Sequence, residues 1–104
     1  MKNLGPIGAL IAAALLTSAA SAAPQHFVGG KYLKLAKVSL NEARAVALKA
    51  RPGTITDQEL EKEKGGTGLR YSFDIRSNDG VHEVGVDART GAVLENSKEG
   101  PNAD

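Results

Sequence analysis

Between residues 69 and 88, apolar and polar side chains alternate on both arms of a turn, and this alternation constrains the fold more than any other feature of the chain. Leu69, Tyr71, Phe73 and Ile75 are separated by Arg70, Ser72, Asp74 and Arg76; beyond Asp79 and Gly80 the pattern resumes with Val84, Val86 and Ala88. A period of two sends the two sets to opposite faces of a β-strand. An Asp-Gly pair between such runs predicts a two-residue hairpin loop. With Asp79 and Gly80 as the loop, Ile75 faces Val84, Phe73 faces Val86 and Tyr71 faces Ala88, while Arg76 meets Glu83 on the other face. A one-residue slip would set apolar side chains against charged ones, so the two faces are strongly specified.

A more polar strand precedes this hairpin at residues 54–64, with Glu59, Glu61 and Glu63 pointing one way and Leu60 the other. Its alternation fails near Thr56 and Asp57, where a bulge would return Ile55 to the core. Gly65, Gly66, Thr67 and Gly68 form the turn between these strands. That turn sets Leu60 opposite Phe73, Glu63 opposite Arg70, Asp57 opposite Arg76 and Glu59 opposite Asp74. Most of the charged residues thereby gain cross-strand partners, each pair contributing about 0.2 to 1 kcal/mol, a structural role rather than a chemical one. Residues 87–91 read Asp-Ala-Arg-Thr-Gly: an Asp that accepts from backbone N–H groups just ahead of it, closed by a Gly, is a turn. A short strand at residues 92–95 follows.

Ahead of the sheet, Ser39, Leu40, Asn41 and Glu42 have the form of a capping box, which predicts a helix start. Leu40, Ala43, Val46, Ala47 and Ala50 then fall on one face at helical spacing, and Pro52 with Gly53 ends the helix at Arg51. Residues 4–16 form an apolar run too short to span a membrane, and small residues follow it. This is the pattern of a signal peptide, with the cut placed between Ala22 and Ala23. Residues 23–37, with no clear period, read as a flexible leader, and residues 96–104 as a disordered tail.

Composition narrows the function. Beyond Lys2 the chain carries equal numbers of basic and acidic residues, which argues against nucleic acid or a stable anionic-membrane contact. Without cysteine there is no disulfide, thiol nucleophile or thiolate metal site. His26 and His82 lack a partner at metal-ligand spacing, and His82 belongs to the apolar sheet face, where packing is its expected role. The glycine turn at 65–68 lacks the Lys-Ser or Lys-Thr of a phosphate loop. Nothing in the pattern is assembled for catalysis, so the chain is expected not to be an enzyme and to need no cofactor.

In order and spacing these pieces resemble the PepSY domain. The resemblance is carried by Val38-Ser39-Leu40-Asn41-Glu42-Ala43 and Ala45-Val46-Ala47-Leu48 on the helix, Arg51-Pro52-Gly53 at its end, Glu59-Leu60-Glu61 and Tyr71-Ser72-Phe73-Asp74-Ile75 on the strands, and Val84 through Leu94 at the end. It spans residues 38–95. It implies an α+β fold with one helix packed on a three- to four-stranded antiparallel sheet. It also implies a periplasmic or secreted bacterial module, acting on a peptidase in trans or on another envelope protein, with no family catalytic residues to carry over. The polar sheet face, with Arg70, Asp74, Arg76, Glu83 and Asp87, is the expected partner-binding surface, and the exposed first strand is a second candidate. The alternative is an envelope protein that binds a small ligand or metal ion through acidic residues such as Glu59, Glu61 and Glu63.

Overall fold

The computed structural model describes residues 26–100; the expected signal peptide and its cut at Ala22 and Ala23 lie outside them. Within them a 3-10 helix, Gly30–Leu35, leads to helix α1, Leu40–Ala50. Four strands follow: β1, Thr54–Lys62; β2, Leu69–Ser77; β3, Gly80–Asp87; and β4, Val93–Lys98. They form one antiparallel meander in the order β1-β2-β3-β4, an α+β fold.

Helix α1 begins as its sequence predicts. Ser39 Oγ accepts from the Glu42 N–H at 3.0 Å, and Glu42 Oε1 accepts from the Ser39 N–H at 2.9 Å. Ala43 and Ala47 are completely buried. These small side chains let the helix approach β2 and β3 closely over Tyr71, Phe73, Ile75, Val84, Val86 and Ala88. Ser39→Ala removes one half of the capping box and is expected to cost about 1 kcal/mol. For a domain of this size that lowers the melting temperature by roughly 4 to 8 °C, readable by circular dichroism.

Both hairpins depart from the expected register by two residues. Observed partners are Ile75 with His82, Phe73 with Val84, Tyr71 with Val86 and Asp74 with Glu83, where Ile75 with Val84 and Arg76 with Glu83 were expected. In the first hairpin Leu60 faces Tyr71, Glu61 faces Arg70 and Asp57 faces Asp74. The cause is common to both. Each loop lies one residue earlier than expected, at 64–67 and 78–79, because the positive-φ glycine is the first residue after the loop rather than its last: Gly68 (φ 91°) and Gly80 (φ 126°). A shift of two keeps every side chain on its face, so the core is as the alternation predicts. The bulge at Thr56 is present, and it buries Ile55 opposite Ile75.

Strand β4 runs on to Lys98, into the segment expected to be a disordered tail. Asn96 anchors it, donating to the Ala50 carbonyl and accepting from Arg51 Nε, both at 3.3 Å. The segment expected to be a flexible leader is likewise tied to the domain. Val28 forms a parallel bridge with Glu59 on the outer edge of β1. Lys37 and Val38 both donate to the Ala88 carbonyl at 2.9 Å, and Tyr71 Oη donates to the Val38 carbonyl at 2.7 Å.

Candidate functional site: an acidic trough on the open sheet face

With the helix on one side, the opposite face of the sheet is uncovered among the described residues, and the two-residue shift decides its electrostatics. In the expected register Arg76 would neutralise Glu83 and Asp57. In the observed one Arg76 stands across from Thr54 and Val81, and Asp74 lies between Asp57 and Glu83. Glu99 joins them from the end of β4, where its N–H donates to the Val81 carbonyl at 2.9 Å. The result is a trough of about 420 Å³ lined by Val28, Gln58, Ser72 and by Asp57, Glu59, Glu61, Glu63, Asp74, Glu83 and Glu99.

Two of these carboxyls bind protons far more tightly than usual. Asp74 is pushed up to about 6, first by burial, then by the charge of Glu99, by a hydrogen bond with the Glu99 carboxyl that requires a proton between them, and by Asp57 and Glu59. Glu83 is pushed up to about 7 by burial and by the charges of Glu95, Asp74, Glu99 and Glu61. Near neutral pH the trough is a concentrated negative field with little internal compensation. One oxygen each from Asp74, Glu83 and Glu99 lies within 4.8 Å of the others. This is not the trio Glu59, Glu61 and Glu63 that the sequence suggested for a metal ion. The trough suits ammonium or guanidinium groups, or a proton.

Of the five residues expected on the binding face, the structure brings only Asp74 and Glu83 together in the trough. Arg76 is exposed outside it. Arg70 is tucked away, its side chain 9% exposed, donating from its guanidinium to Glu95 Oε1 and to the Lys64 carbonyl, both at 3.2 Å. Asp87 is 1% exposed and is a structural knot. Its carboxylate accepts from Thr67 N (2.7 Å), Thr67 Oγ1 (2.8 Å), Arg89 N (2.8 Å) and Thr90 N (3.1 Å). Burial alone would raise the Asp87 carboxyl, but these four donors overcome it and hold the group down at about 2. The residue that sequence reasoning missed is Glu99. Its signal was the alternation Glu95, Ser97, Glu99, which continues the open face past the expected end of the last strand.

The other ionisable pair is structural. His82, 3% exposed, places Nε2 at 2.8 Å from Asp79 Oδ1 and braces the second loop from inside. Ser72 Oγ donates to Glu61 Oε2 at 2.8 Å. Among the described residues neither pair joins a third group in a nucleophile-base-orienter arrangement.

One helix under a four-stranded antiparallel meander is the arrangement that the resemblance implied, and a comparison with protein families agrees. Residues 37–96 match the PepSY family, described as the peptidase propeptide and YPEB domain. The chain belongs to the PepSY family. No curated protein and no solved structure gave a match. Among the described residues no helix is long and apolar enough to cross a membrane.

Proposed function

We propose that this PepSY chain is a non-catalytic module of the periplasm or cell exterior that binds another protein through its open sheet face, with a peptidase as the first candidate for inhibition or regulation. The observation that carries this reading is the uncovered acidic face, in a family described by peptidase propeptides. Two carboxyls held at about 6 and 7 are poorly satisfied in the free chain, and a partner that brings cationic groups relieves that repulsion on binding. Arg76, exposed outside the trough, offers a further contact.

The test is inhibition of proteolysis by the purified chain, measured on a fluorogenic protein substrate with secreted peptidases of the source organism. The unsubstituted chain is expected to inhibit, and Asp74→Lys with Glu83→Lys to weaken inhibition about tenfold or more. Equal potency of the two would move the contact off this face, and no inhibition by either would remove peptidases as the partner. Thermal melts with calcium or magnesium separate this reading from that of a cation-binding protein. A ligand held only by the folded state must raise the midpoint, so an unchanged midpoint is expected.

A further inference from the structure

The outer edge of β1 already holds one bridging residue. Val28 N donates to the Gln58 carbonyl at 3.3 Å, and Leu60 N donates to the Val28 carbonyl at 2.8 Å, a one-residue parallel bridge centred on Glu59. Bridge partners share a face, so the Val28 side chain stands over the trough beside Glu59, 47% exposed, as part of the lining. Past Val28 the chain cannot extend this pairing, because at Gly29 it turns away with φ 95°, its Cα so near the Leu60 carbonyl that a Cβ would collide with that oxygen. The bridge shows that the edge can accept backbone pairing, and among the described residues its occupant is a single residue that puts an apolar side chain over a row of carboxylates.

Resting on the protein-binding reading above, we propose that the outer edge of β1 is a docking site for an extended segment of a partner protein with Lys or Arg at alternate positions, and that Val28 is a strap this segment displaces. A parallel strand in Val28's place gains the Gln58 carbonyl and the Leu60 N–H, and its alternate side chains fall opposite Asp57, Glu59 and Glu61. Backbone pairing supplies the affinity and the acidic row selects the sequence. A cationic side chain at the central position meets Glu59 where Val28 meets it with a methyl group. The strap makes binding competitive, since only the fraction of molecules with the edge free can take the partner.

The probe is a fluorescently labelled peptide of alternating Lys and Val, compared with one of alternating Glu and Val, titrated into the chain by anisotropy. The Lys peptide is expected to bind, more weakly as salt is raised, and the Glu peptide not to bind. Glu59→Lys with Glu61→Lys should weaken the Lys peptide about tenfold. Gly29→Ala, which unseats the strap, should tighten it about tenfold. Should that variant fold poorly, Val28→Pro removes the N–H that holds the strap to Gln58. Hydrogen exchange gives a second reading: on saturation the Leu60 amide stays protected while the Val28 amide loses protection. Equal binding of the two peptides, an affinity indifferent to strap release, or a Val28 amide still protected at saturation would each overturn the proposal. Peptide binding by a chain that inhibits no peptidase would leave the docking edge standing and remove the peptidase reading; inhibition that survives Glu59→Lys with Glu61→Lys would do the reverse.

Discussion

Asp87→Ala is expected to cost about 3 kcal/mol of stability, the upper range for losing hydrogen bonds to a charged group. At roughly 4 to 8 °C per kcal/mol for a domain of this size, the melting temperature should fall by more than about 10 °C. The size of the effect follows from what Asp87 joins. Thr67 belongs to the loop between β1 and β2, Arg89 and Thr90 to the turn between β3 and β4, and one carboxylate accepts from all three. Alanine leaves those donors unsatisfied beside a buried position and frees two loops at once. Gly66 also packs against the carboxylate, so closely that a Cβ there would strike Asp87 Oδ2. Asp87→Asn, similar in shape but uncharged, should cost less than alanine. A fall below about 1 kcal/mol for alanine would show that the turns stand without the knot. The pH dependence has a definite sign. The folded pKa lies below the ordinary value of 3.8, so this stabilisation is present above about pH 4 and is lost as pH falls toward 2. The alanine variant should lose that part of the acid sensitivity.

The turn role of Asp87 was legible because it is local: an Asp, two or three residues of reach and a closing Gly. The capping box of α1 and the alternation of β2 were legible for the same reason, and with them which side chains form the core. Register was not. A loop displaced by one residue moves the pairing by two, which conserves both faces and leaves the hydrophobic pattern indifferent to the choice. The choice was made by where Gly68 and Gly80 take positive φ, just beyond each loop, and by the gain of burying His82 opposite Ile75. Charge pairing favoured the other register, yet exposed pairs contribute too little to decide it. The trough is the consequence: the same acids read as neutralised in one register stand uncompensated in the other. Charge reversal of Arg70 or Asp87, both expected on the binding face, would instead disturb buried structural contacts.

Removing the trough's charge is expected to stabilise the protein. Asp74 and Glu83 have folded pKa values of about 6 and about 7, above their ordinary 3.8 and 4.5. Groups raised in this way favour folding below their unfolded pKa, and that contribution is lost as pH rises through the folded one. The chain should therefore be more stable near pH 5 than at pH 8, opposite to the trend Asp87 imposes below pH 4. The two together place greatest stability near pH 4 to 5. Asp74→Asn with Glu83→Gln keeps the shapes and removes the repulsion. At pH 8 the double variant should gain about 2 kcal/mol, a modest figure because both groups are partly exposed and solvent screens their repulsion. Its melting temperature should rise by about 8 °C or more at pH 8 and differ little at pH 4.5. A double variant less stable than the original at pH 8 would mean that the carboxylates hold the sheet face together rather than strain it. A stability cost borne by the free chain and relieved by a cationic partner is the expected signature of a binding surface. It also links the two equilibria through the shared field of the trough: protons taken up by Asp74 and Glu83 reduce the negative charge that a cationic strand on β1 meets, so peptide affinity should weaken as pH falls through 7 to 6, and in the double variant that dependence should flatten.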